Sequence, residues 1–187
     1  MSENVPIPPP LHQPPPAPPP EALLADGLYK VRRPALLLMA SAVLNALIFL
    51  LITIGALGLG VWAYLAANSP DATVALILAA IVAIPHLVAL ALEMLVAYGA
   101  LRLLRTQGYN WAIAAPILHL IIAIIHSMVL FFIINVLSCV VVPFEAGLAL
   151  TSTIMCFIAL QDPRVRLAFK AVEEDPSLFG LLQASRD

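Results

Sequence analysis

The chain has 187 residues, 62% of them hydrophobic and only 11% charged, with a formal net charge of -2 at pH 7. Soluble domains carry about 25% charged residues, so this composition and a mean hydropathy of +1.00 exclude a water-exposed globular fold and point to an integral membrane protein. The two cysteines, Cys139 and Cys156, are too few for a disulfide framework and lack metal-motif spacing, so they read as small apolar residues.

Between Val5 and Pro20, ten of sixteen residues are proline. Proline removes amide donors and fixes φ, so residues 1-20 read as a disordered polyproline arm, either a spacer or a ligand for an aromatic groove. Met1 to Asn4 is acidic and the first apolar run starts late, so no cleaved signal is expected. Residues 21-33 read as a short juxtamembrane helix or turn ending in a basic cluster. Pro34 then suits the first turn of a helix. Span one (about 35-66) is longer than the roughly 20 residues a bilayer needs. Its Ala56 and Gly60 have the small-xxx-small spacing that lets another backbone approach. Asp71 is placed to cap span two (about 73-104), which Pro85 should kink. Arg102, Arg105 and Gly108 mark a tight basic turn. Span three (about 110-136) carries Pro116, and span four (about 143-160) follows a second turn. In the tail, residues 162-187, Val165, Ala168, Phe169 and Val172 share one helical face. That pattern suits a helix lying on headgroups and, equally, one packed against the ends of the spans.

All nine basic residues fall in the N-terminal segment (Lys30, Arg32, Arg33), the middle turn (Arg102, Arg105) or the tail (Arg164, Arg166, Lys170, Arg186). The positive-inside rule then places both termini and the middle turn in the cytoplasm. The expected fold is all-α, an antiparallel four-helix transmembrane bundle over residues 34-161, with a proline-rich arm and an amphipathic tail.

Four ionisable residues interrupt spans two and three, and such residues are costly enough to be candidate sites. Glu93 lies nine residues before Arg102, and His119 nine after Asn110. At 1.5 Å per residue both sit roughly 13 to 14 Å from the basic turn. His86 and His126 are sixteen residues from the same marks, about 24 Å in. The expectation is two polar layers, Glu93 with His119 and His86 with His126. Asn45 and Ser152 support the first layer. Glu93 is then either ionised against a protonated His119 or protonated itself, because a lone carboxylate is too costly in a low dielectric. Geometry argues against one metal ion held by all four, since the layers are roughly 10 Å apart and ligand distances are near 2 Å; one layer alone offers two ligands, which leaves metal binding as a third alternative. Glu145 reads as an external interface residue with no special role.

Tyr98-Gly-Ala-Leu-Arg-Leu-Leu104 before a turn, Tyr109 opening a span with Ala114-Ala-Pro-Ile-Leu118, and the ending Ile158-Ala-Leu-Gln-Asp-Pro-Arg-Val-Arg-Leu-Ala-Phe169 resemble small bacterial four-span membrane proteins of uncharacterised function. The resemblance implies a bacterial four-helix membrane protein with a proline-rich cytoplasmic arm, and brings no activity or cofactor. Where a cysteine pair or glycine-rich turn is common before span four, this chain has Val140-Val-Val-Pro-Phe-Glu145.

No phosphate loop, catalytic triad order or nucleic-acid patch is present. The first expectation is a non-enzymatic scaffold or adaptor of the inner membrane, without cofactor. Its partners are lipid, further copies of itself or a membrane complex, and a cytoplasmic protein that binds the arm. The second is a small channel or proton- or ion-coupled transporter using the Glu and His layers.

Overall fold

The computed structural model describes residues 19-67, 71-133 and 138-184. Residues 1-18, which are most of the polyproline arm, and parts of the two turns without basic residues (68-70 and 134-137) lie outside them. Every regular element among the described residues is a helix, in the order α1 (Pro20–Ala67), α2 (Asp71–Leu104), α3 (Tyr109–Ile133), α4 (Ser138–Gln161), α5 (Pro163–Glu174) and α6 (Ser177–Ala184). The first four are long and apolar enough to cross a membrane, and the chain is accordingly an integral membrane protein by length and composition.

Two boundaries differ from expectation for one reason. Residues 21-33 are not a separate element but the first turns of α1, with Pro34 inside the helix, and α4 starts at Ser138 rather than at Pro143. Each long helix thus contains one internal proline: Pro34, Pro85, Pro116 and Pro143. In water proline ends a helix. In a bilayer no solvent waits to take the freed backbone groups, so the helix continues and neighbouring side chains help to satisfy them. Donors from α4 also reach the carbonyls of two of these prolines themselves, distinct from the acceptors freed one turn earlier: Thr153 Oγ1 donates to the Pro116 carbonyl at 3.0 Å, and the Cys156 thiol to the Pro34 carbonyl at 3.6 Å.

α1 packs on α2 and α4, and α3 packs on the same two helices. Their shared core uses Leu38, Ala42 and Phe49 of α1, Val96, Ala100 and Leu103 of α2, Ala112 and Ala115 of α3, and Cys156 and Leu160 of α4. Alanines dominate the contacts because lipid gives no hydrophobic drive between helices, and close backbone approach supplies dispersion instead. A Cβ on Gly99 of α2 would lie 2.4 Å from the Ala115 Cβ of α3, so only glycine permits that crossing. Gly60 likewise meets Ala79 of α2, a contact within the chain; Gly55 and Gly58 face open space.

The tail folds back. Val165, Ala168, Phe169 and Val172 of α5 are buried against the start of α1, so the second use of its amphipathic face is the one realised. Gly27 of α1 touches the Arg164 carbonyl so closely that a Cβ there would lie 2.5 Å from that oxygen. Lys30 Nζ donates to Asp162 Oδ2 at 2.6 Å, Arg164 donates to Asp26 at 2.6 Å, and Asp162 caps α5 by accepting from the Arg164 amide. The Lys30 ammonium, aided by that amide, holds the Asp162 carboxyl below its ordinary value of 3.8. A carboxyl lowered in the folded state contributes its full stabilisation above its unfolded value and loses it as pH falls through the folded one. The expected result is that pepsin cleaves α5 faster as pH drops below 3.8, with a smaller step in Asp162→Asn, where Asp26 still titrates against Arg164 and Lys30.

Candidate functional site

Glu93 of α2 and His119 of α3 are both fully buried, and the structure places them in contact. His119 Nδ1 lies 3.0 Å from each carboxylate oxygen. α1 completes the layer from the other side: Ser41 Oγ is 2.8 Å from His119 Nε2, and Asn45 Nδ2 donates to Glu93 Oε1 at 3.3 Å. Ser41 and Asn45 are one turn apart on α1 and so present a single polar stripe to the pair. Every polar atom of the Glu93 and His119 side chains thereby has a partner, as a low-dielectric interior demands.

Ser152, expected in this layer, does not join it. Its hydroxyl donates to the Ala149 carbonyl at 3.0 Å, the local bond that serine makes inside a helix when no better acceptor faces it.

The second layer is built differently from expectation. The His86 and His126 rings meet edge to face with centroids 5.4 Å apart, and Phe49 packs edge-on against both at 6.0 and 4.5 Å. No hydrogen bond joins the two imidazoles. His126 Nδ1 instead lies 2.9 and 2.8 Å from the two oxygens of Glu145 on α4. Glu145 is 2% exposed, which corrects its reading as an external interface residue. The physical reason is depth: with α4 running from Ser138 to Gln161, Glu145 lies sixteen residues before Gln161, level with His126. His86 Nδ1 is 2.7 Å from the Val82 carbonyl, one turn back, beside the gap that Pro85 leaves in the ladder.

The pattern is regular. Two histidines seven residues apart on one face of α3 each pair with a carboxylate from a flanking helix, Glu93 from α2 and Glu145 from α4. An ion moved alone into such surroundings costs far more than any single contact returns. Each pair therefore keeps its charges together, and a proton can sit on either side of a contact of 2.8 to 3.0 Å. Protonating the carboxylate removes the charge-assisted bond and weakens the hold between its two helices.

His86 Nε2 and His126 Nε2 are buried and have no hydrogen-bond partner among the described residues. Each ring is only 5% exposed, and each such unmade bond costs about 1–3 kcal/mol. Both rings line a cavity of about 310 Å³ between α2 and α3, together with Pro85, Ala89, Leu92 and Ile122. Among the described residues no three His, Cys, Asp or Glu side chains converge as metal ligands. Three site residues were missed in the sequence. Ser41 was detectable as the position one turn before Asn45, and Glu145 by counting back from Gln161. Phe49 had no signal among so many apolar neighbours. No family model, curated protein or solved structure matches the chain.

Proposed function

We propose that this chain is an antiparallel four-helix bundle of the bacterial inner membrane, both termini cytoplasmic, that moves protons or a proton-coupled solute by means of its two His–carboxylate layers. One observation carries the reading: His119 and His126 of α3 each hold a carboxylate from a different neighbour, all four side chains at least 95% buried. Paired ionisable groups at this depth are expensive. Their protonation changes the strength of the α2–α3 and α3–α4 contacts, so proton occupancy and helix packing are linked. In this mechanism Glu93 and Glu145 take the proton, His119 and His126 hold the counter-charge, and Ser41 and Asn45 orient the inner pair.

The scaffold reading keeps only the polyproline arm as a display surface, because the apolar face of α5 is already occupied by α1. Reconstitution into liposomes separates the two. The wild type is expected to collapse an imposed pH gradient well above the rate of empty vesicles. Glu93→Gln, which keeps shape and loses the charge, should reduce that rate at least tenfold with assembly unchanged, and deletion of residues 1-20 should leave it intact. Wild-type flux no greater than that of empty vesicles would discard the transport reading.

A further inference from the structure

We propose that Phe49 of α1 is the gate of the proton path, its ring forming the dry barrier between the two His–carboxylate layers; the proposal rests on the transport reading above. Ser41, Asn45 and Phe49 follow one another at intervals of four residues, which keeps them on one row of the helix, and all three are buried. Ser41 meets His119, and Asn45 meets Glu93. The next position on the row is aromatic instead of polar, and it meets both histidines of the second layer, with centroids 6.0 Å from His86 and 4.5 Å from His126.

A proton crossing the bundle has to pass from one layer to the other. Seven residues separate His119 from His126 and His86 from Glu93, about 10 Å along each helix, whereas a proton is handed between groups in hydrogen-bond contact, about 3 Å apart. Among the described residues no hydrogen bond joins Ser41, Asn45, Glu93 or His119 to His86, His126 or Glu145. At the intervening level α3 and α4 contribute the buried Ala123 and Ala149, which are too small to close the interior.

Phe49 closes it. A helical side chain leans toward the N-terminus of its own helix, so this ring lies on the Asn45 side of its Cα, in the space between the layers. An apolar constriction of this kind stays dry and conducts only when it moves aside. Edge-to-face contacts with the two imidazoles seat the ring. One of those imidazoles, His126, is the partner of Glu145. A proton arriving on Glu145 weakens that pairing and so loosens the seat of the barrier, which makes it a gate and not a fixed plug.

The test is proton flux into liposomes holding the full chain, read with an entrapped pH-sensitive dye. Phe49→Ala leaves a space bordered by two imidazoles and Asn45, polar enough for water to enter, so flux is expected to rise at least tenfold above wild type. Phe49→Met keeps an apolar side chain of similar size and should stay within about twofold of wild type. Adding Glu93→Gln to Phe49→Ala should bring the flux down to that of Glu93→Gln alone, which separates a path through the layers from a leak around a loosened bundle. Where Phe49→Ala does not assemble, Phe49→Gln, which keeps most of the volume and offers the imidazoles an amide, carries the same expectation. Wild-type flux that Phe49→Ala leaves unchanged or lowers would overturn the gate while the transport reading stands, and a leak that persists in the double variant would overturn it too. A silent wild type beside a Glu93-dependent flux in Phe49→Ala would support the barrier and discard the transport reading.

Discussion

Replacing Glu93 by leucine is expected to destabilise the folded chain by about 3–5 kcal/mol, because it strands the His119 imidazole without its carboxylate in a fully buried site. Replacing Glu93 and His119 together by methionine and leucine should recover most of that loss. The double variant removes both polar groups, and a well-packed apolar pair of similar volume is often as stable as a buried ion pair. Reversible unfolding in mixed micelles with increasing dodecyl sulfate measures both. The same double variant should carry no proton flux, which separates what the pair does for folding from what it does for transport. A double variant as unstable as the single one would mean that Ser41 and Asn45, left facing an apolar site, contribute the larger share.

Gly99→Leu should have the next largest effect. Its Cβ would fall 2.4 Å from the Ala115 Cβ and 3.5 Å from the Trp111 carbonyl oxygen, and the Ala115 Cβ and the Trp111 carbonyl cannot move aside without moving α3. Overpacking of this kind costs about 1–3 kcal/mol, occasionally more. The crossing also sets the spacing of the Glu93–His119 contact, six residues along α2 and four along α3. Prying the helices apart therefore lengthens that bond as well. Gly99→Ala should fall between leucine and wild type. Gly55→Leu and Gly58→Leu, in open space, should stay within about 0.5 kcal/mol. An unfolding midpoint unmoved by Gly99→Leu would contradict the packing described here.

Four spans were legible because each is a long apolar run, and Glu93 and His119 could be placed opposite each other because both lie nine residues from one sharp turn. The same counting brings His86 and His126 level with each other. It says nothing of which way their polar atoms face, and in the structure Nδ1 of each turns to a different acceptor, Val82 and Glu145. Glu145 was misjudged because Pro143 was taken to open the helix, which put the carboxylate at a boundary instead of seven residues inside the true start. Proline rules learned in water mislead wherever no water competes for the backbone. The α5 face was readable as amphipathic, but an apolar stripe does not say what it will cover. The close approach of Gly27 to Arg164 that decides it is a long-range contact with no local trace.

The length of α2 carries a consequence for the bilayer itself. α2 has 34 residues, so its axis measures about 51 Å. A hydrocarbon core is about 30 Å thick and tilts rarely exceed 40°. Even at that limit α2 rises about 39 Å, so part of its length reaches past the hydrocarbon. Membranes of greater thickness should therefore hold this protein with less distortion than thin ones, and its stability in vesicles of graded acyl-chain length should rise with chain length.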